Sequence, residues 1–275
     1  MPGLSILRKA TFDARVRKLY GRLRSVPVFG PYLTQLANWF YPKGIRVWVK
    51  VPTSPGTSAW MYLDARYEMG YRTGDYERAV QKVLVEHLRC GNIFYEVGAH
   101  IGYFSLLAAS LVGGSGEIVA FEADPVNVEV IQEHFRRNSL AHARVVPMAV
   151  WSKAGSVRFT RGSELSSLNA GGVLESSPWG FDSDVIEVEA IALDDYVQSH
   201  RAPSLVKIDV EGAELHVLNG ARDLLSRYKP LVLCEVHSPE LASQVEDWLT
   251  DNSYAVEWFA NQTGLTRHLF ARPQL

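Results

Sequence analysis

Phe94-Tyr95-Glu96-Val97-Gly98-Ala99-His100-Ile101-Gly102-Tyr103-Phe104-Ser105 is the stretch on which the fold turns. A short apolar run that ends in an acid and passes through two glycines into a second apolar run reads as buried strand, tight turn and helix. Glycines there let the backbone approach a ligand closely, and the helix start offers N–H groups without partners. Glu96 can meet a cationic ligand group, with Gly98, Ala99, His100 and Gly102 as the cradle. Two glycines alone would equally shape an ordinary turn. The next strand supplies the context: it ends in Phe121-Glu122-Ala123-Asp124-Pro125, placing Glu122 where a carboxylate accepts hydrogen bonds from both hydroxyls of a ribose.

Outward from this stretch, helices and strands alternate. Val80, Val83, Leu84 and Leu88 share a helix face, and Ile93 to Val97 is a buried strand. Tyr103 to Val112 reads as a helix, Ile118 to Phe121 as a strand, Val126 to Asn138 as a helix and Val145 to Val150 as the third strand. Leu205 to Val210 and Leu231 to Val236 follow, and Ala255 to Trp258 with Leu269 to Ala271 form a closing antiparallel pair. Such βαβ units impose right-handed crossovers, so ligands bind beyond the strand ends where strand order reverses. The predicted fold is an α/β, Rossmann-like, mostly parallel seven-stranded sheet with an antiparallel C-terminal strand pair. Ahead of it, Ile45 to Val51, a turn over Thr53 to Ser58, and Trp60 to Leu63 read as a hairpin over one sheet edge. Residues 1–75 form a helical and hairpin extension, and residues 76–275 the main domain.

An acid at the second strand end suits two nucleoside cofactors. A dinucleotide needs G-x-G-x-x-G to seat its pyrophosphate, and His100 would crowd that group. A compact sulfonium cofactor with a positively charged amine suits Glu96, which favours S-adenosyl-L-methionine.

Several motifs, in order, resemble the FkbM-type methyltransferases from about Tyr76 to Glu235. They are Gly74-Asp75-Tyr76-Glu77, Glu96 to Tyr103, Phe121 to Pro125, Ala149-Val150, Ser166-Ser167-Leu168, Ala192-Leu193-Asp194-Asp195 and Leu205-Val206-Lys207-Ile208-Asp209-Val210-Glu211-Gly212-Ala213-Glu214. Glu96 stands where that family usually has aspartate, and His100 where it usually has asparagine. The resemblance implies a class I methyltransferase fold and S-adenosyl-L-methionine held by Glu77, Glu96, Gly98, Ala99, His100, Gly102, Glu122, Ala123, Ala149 and Asp209. It does not choose among polyketide, sugar and other acceptors.

Methyl transfer asks for an acceptor held in line and for removal of its proton. Asp209 and Glu211 end the fourth strand, while Glu235 and His237 end the fifth. His237 is the first candidate base, because imidazole titrates near neutral pH. Asp209 orients the cofactor amine or the acceptor. Lys207 and Glu214 read as ion pairs at the rim. The same acids permit a variant in which Asp209, Glu211, Glu235 or His237 hold a divalent ion; no zinc spacing exists. The leading function is O-methylation of a small molecule or sugar. Methylation of nitrogen or of a macromolecule, a nucleoside-binding protein without catalysis, and a nicotinamide oxidoreductase are the alternatives.

Composition agrees with one globular enzyme. The 275 residues are 47% hydrophobic and 21% charged, with a formal net charge of −2, so no basic surplus points to nucleic acid. Cys90 and Cys234 lack metal or redox spacing and read as buried thiols of a cytoplasmic protein, and no membrane span or signal peptide is evident. The Asn261-Gln262-Thr263 sequon then carries no meaning. Charge is uneven: residues 1–24 hold Arg8, Lys9, Arg15, Arg17, Lys18, Arg22 and Arg24 against Asp13. Phe12, Val16, Leu19, Tyr20 and Leu23 fall at helical spacing, giving a basic amphipathic helix that can cap the domain, support a homodimer or lie on an anionic membrane.

Overall fold

The computed structural model describes residues 46–54, 56–64, 68–160, 173–174, 185–260 and 266–274. The basic segment 1–24, Ser166-Ser167-Leu168 and the sequon lie outside the described residues. Among those described, no helix is long and apolar enough to cross a membrane.

The main sheet takes its strands from both halves of the chain. In chain order they are β3 (Ile93–Val97), β4 (Glu117–Phe121), β5 (Ala143–Val146), β10 (Leu205–Ile208), β11 (Leu231–Val236), β12 (Tyr254–Trp258) and β13 (Arg267–Pro273). Across the sheet the order is β12-β13-β11-β10-β3-β4-β5. Five strands run parallel, and β13 lies antiparallel to both β11 and β12. This is the Rossmann-like class I arrangement expected. From β3 the chain winds outward to β4 and β5, then returns to β10 and winds the other way. The switch point therefore lies between β3 and β10, where their carboxyl ends open a crevice.

Alternation along the strands sorts two cores. Tyr95, Val97, Val206, Ile208, Val232, Cys234 and Leu269 share one face. Phe94, Leu205, Leu233 and Phe270 share the other, with helices α1 (Arg78–His87) and α2 (Tyr103–Val112) packed on them. On that second face the period of two also places Glu96, Lys207, Glu235 and His268, in line with Phe94, Leu205, Leu233 and Phe270. Lys207 is in register with Glu96, and Glu235 with His268. A row of charge thus crosses four adjacent strands just short of the crevice.

The hairpin is present as β1 (Arg46–Ser54) and β2 (Thr57–Asp64), with a tighter turn than expected. It lies over α2 and helix α3 (Pro125–Arg137), not over a sheet edge. Its Val51, Met61 and Leu63 join the core of α1 and α2. Side chains of α3 satisfy the backbone of β2. Tyr62 N–H donates to His134 Nε2 at 2.6 Å, while His134 Nδ1 donates to the Ile101 carbonyl at 2.8 Å. Asn138, just past the end of α3, binds the Trp60 backbone at both N–H and C=O. Burial lowers the His134 pKa to about 4, so the ring stays neutral and its Nε2 can accept. His134→Ala strands two buried backbone groups and is expected to cost about 2–4 kcal/mol by chemical denaturation. A loss under about 1 kcal/mol would remove His134 as the link between hairpin and domain.

The third strand was expected over Val145 to Val150, but β5 ends at Val146. Pro147 has no N–H to continue the ladder, and Met148 N turns back to the Val146 carbonyl at 2.9 Å. Ala149–Val150 is instead β6 of a second sheet, ordered β6-β9-β7-β8, with β7 (Gly155–Thr160), β8 (Val173–Leu174) and β9 (Val185–Ile191). Cys90, expected buried, is exposed, and its Sγ lies 3.3 Å from Ser115 Oγ.

Candidate functional site

The turn after β3 is fastened from both sides. Gly98 and Ala99 donate to the Phe121 carbonyl, each at 3.0 Å. His100 N–H donates to Glu122 Oε2 at 2.7 Å, and Asp124 N–H to Glu122 Oε1 at 2.8 Å. Glu122, read as a ribose ligand, is thus also the clamp that closes the turn. Burial pushes it up to about 7, against those backbone bonds. Gly98 and Gly102 have φ of 78° and 75°, and a Cβ at Gly98 would meet the Asp209 carbonyl, so the two sides of the crevice touch here.

Non-glycine residues at positive φ include Glu77 (42°), His100 (50°) and Glu211 (52°), all on the crevice. Left-handed backbone at bulky residues costs about 1–3 kcal/mol each and collects at functional sites. His100 Nδ1 sits 3.3 Å from Tyr71 Oη. Burial lowers its pKa to about 4, so the ring is neutral at pH 7 and only a weak base.

Glu96 lies under α2, 1% exposed, accepting from Ser105 Oγ. Burial raises it to about 7 despite Lys207. It therefore sits behind the crevice, bonded to Ser105 and in register with Lys207 on the neighbouring strand. Lys207 was expected at the rim; it is 2% exposed, 2.8 Å from Asp209 Oδ2, with Phe104 beneath its ammonium. Burial opposes its charge, yet Asp209, Glu77, Glu96 and Glu235 hold its pKa above the usual lysine value. Burial would raise Asp209, but Lys207 and His237 outweigh it and hold the carboxyl at about 2. Asp209 is thus the firmly anionic group at the switch point.

His237 gathers the remaining acids. Its Nε2 is 3.3 Å from Glu211 Oε2, 3.7 Å from Asp209 Oδ1 and 3.7 Å from Glu235 Oε1. Its Nδ1 is 2.7 Å from Glu214 Oε1. Burial alone would lower its pKa; the bond to Glu214 and the charges of Asp209, Glu211 and Glu214 raise it to about 10. Glu211 moves up to about 7, from burial first and then from Asp209, Glu235 and Glu214, against His237. Glu235 is raised by burial and Asp209. It also reaches His268 at 3.2 Å, and Glu77 reaches the same ring at 3.4 Å. Burial opposes the His268 charge, but Glu235 and Glu77 raise its pKa to about 9. Ligand atoms of Asp209, Glu211 and His237 lie within 4.8 Å of one another, as do those of Glu77, Glu235 and His268. In each group an imidazolium already supplies positive charge among the carboxylates.

On the other side of the turn, Ala149 and Ala213 pack with Ala123 and Val210 in a small apolar cluster. This wall brings two expected cofactor residues, Ala123 and Ala149, together beside the acidic floor. The residues the sequence reading missed are Glu214, placed at the rim but fully buried, and His268. The signal for His268 is a polar residue at an inward position of a strand otherwise apolar; Glu214 opens a helix, and its burial is not marked by strand alternation.

The Methyltransferase FkbM domain family matches residues 96–256, which takes in every crevice residue above except Tyr71, Glu77 and His268. A curated relative, the hexuronic acid methyltransferase AglP of Haloferax volcanii, is 26% identical over 185 residues, covering 66% of this chain and 71% of the relative. Among solved structures, methyltransferase FkbM from Methylobacillus flagellatus matches with TM-score 0.49 and 19% identity, over 66% of this chain and 43% of that one. A SAM-dependent O-methyltransferase from Thermotoga maritima matches with TM-score 0.47 and 10% identity, over 72% of this chain and 65% of that one.

Proposed function

The chain belongs to the FkbM methyltransferase family, and on that premise we propose that it transfers a methyl group from S-adenosyl-L-methionine to a hydroxyl of a small molecule or sugar. The observation that carries the reading is the pairing, at the switch point, of a firmly anionic Asp209 with Glu211 and His237, 3.3 Å apart. When bound, S-adenosylmethionine supplies a methyl group already activated by its sulfonium. Asp209 suits its cationic tail, the Gly98 to Gly102 turn admits it without side-chain obstruction, and the Ala123, Ala149 and Val210 wall suits a flat apolar ring. Glu122 keeps lone pairs for ribose hydroxyls, since each oxygen holds one backbone N–H and a carboxylate has about four acceptor sites.

The acceptor hydroxyl gives its proton to the Glu211–His237 pair. Glu211 is the member that takes it, because a carboxylate near pH 7 is matched to neutral working conditions. The sugar methyltransferase relative supports a sugar as the hydroxyl carrier.

Calorimetry is expected to show binding of S-adenosylmethionine and S-adenosylhomocysteine but not of NAD. Glu122→Ala is expected to weaken binding by about 1–3 kcal/mol, the usual loss for charge-assisted bonds. Unchanged affinity would remove Glu122 from the cofactor. Isotope-labelled methyl donor, offered with a panel of sugars and small alcohols, tests the acceptor class. Label recovered on nitrogen, protein or nucleic acid overturns it.

A further inference from the structure

We propose that Glu214 is the positioning residue of this site, setting both members of the Glu211–His237 pair from a single buried oxygen. The proposal rests on the reading of that pair as the proton acceptor. Glu214 opens the short helix α4 (Glu214–Asn219) and is 0% exposed. Its Oε1 accepts from His237 Nδ1 at 2.7 Å and from Gly212 N–H at 3.0 Å. The first bond keeps the proton on Nδ1 and turns Nε2 toward Glu211. The second fixes the loop behind Glu211, where Glu211 and Gly212 both have positive φ (52° and 105°). One carboxylate thus ties the end of β10 to the end of β11 at the point where their side chains meet.

The other oxygen argues that this arrangement serves function rather than stability. Glu214 Oε2 is buried without a hydrogen-bond partner. A buried acceptor left bare costs about 1–3 kcal/mol, so a carboxylate kept only for folding would be better replaced by a smaller apolar residue. A base oriented by a third group is a recurring device of proton-transfer sites.

The test is Glu214→Gln, with Glu214→Asp as the conservative variant and His237→Ala beside them. In Glu214→Gln, kcat is expected to fall on the order of 10²-fold, while the acceptor KM and calorimetric affinity for S-adenosylhomocysteine change less than about threefold. Glu214→Asp is expected to recover part of kcat. In ¹H–¹⁵N spectra of the full chain, the slowly exchanging His237 Nδ1–H, assigned by its loss in His237→Ala, is expected to move upfield and exchange faster in Glu214→Gln, whose neutral amide oxygen is a weaker acceptor than a carboxylate. An unchanged Nδ1–H signal, or wild-type kcat with the signal so weakened or lost, overturns the proposal. Undiminished turnover in His237→Ala instead sinks the underlying reading of the pair. The Nδ1–H signal reports the hold of Glu214 whatever that turnover is, so the two failures are distinguishable. If Glu214→Gln does not fold, the Asp variant carries both measurements, and wild-type kcat in it with the signal lost overturns the proposal.

Discussion

Gly98→Ala is expected to lower stability by about 4 kcal/mol or more and to abolish cofactor binding. A Cβ there would stand 1.8 Å from the Asp209 carbonyl oxygen and 2.8 Å from its carbon, on a residue with φ of 78°. The left-handed backbone alone costs an L residue roughly 1–2 kcal/mol. The obstruction adds more, because it is main chain of the neighbouring strand end and cannot rotate aside as a side chain can. Relief requires β3 and β10 to part at the switch point, which moves Asp209 and breaks the bond of Asp209 N–H to the Val97 carbonyl. For a chain of this size the loss corresponds to a fall in Tm of roughly 8–16 °C. Gly114 is the control, since nothing lies within 4 Å of its added Cβ and its φ is not positive. Gly114→Ala is expected to stay within about 0.5 kcal/mol. Similar Tm values for the two variants would mean that the strand ends do not touch as described.

The second large effect is catalytic. Glu211→Gln and His237→Ala are each expected to reduce turnover by about 10²- to 10⁴-fold, the usual span for loss of a general base. Affinity for S-adenosylmethionine should change little, because Asp209 and the turn remain. The pH profile separates the roles of the two groups. Glu211, raised to about 7, must be ionised to accept a proton, so kcat/KM should rise as pH increases through about 7. His237, raised to about 10, holds Glu211 as an imidazolium, so kcat/KM should fall as that proton leaves near pH 10. Were neutral His237 the base by itself, the rise would lie near pH 10 with no fall above it. Glu211→Gln should erase the lower limb. A lower limb that persists in Glu211→Gln would move the base to Glu235.

Alternation of apolar residues and the glycine turn are local, so the seven strands of the main sheet and the turn from Gly98 to Gly102 are legible in the sequence. Val145 to Val150 reads as one strand because its apolar run is continuous; the missing N–H of Pro147 breaks it. The second sheet is absent from that reading although β7 and β9 alternate apolar and polar residues (Val157 and Phe159; Ile186, Val188 and Ala190); which strands pair in it was decided by tertiary structure.

The turn proposed to cradle the cofactor was legible in the sequence, because each residue type there answers a local need: a glycine for positive φ, an acid at a strand end. What the acids do was decided by tertiary structure. Glu96, Glu122, Asp209 and Glu211 are all carboxylates at strand ends, yet one is buried under a helix, one clamps a turn, one is held at about 2 by Lys207 and one is pushed to about 7. Protonation depends on desolvation and on charges a few ångströms away, and those neighbours come from β10, β11, β13 and the helix opened by Glu214, far apart along the chain. The same reason moved Lys207 and Glu214 from the rim to the interior: the charge of a residue is written in its name, but its dielectric surroundings exist only once the chain has folded.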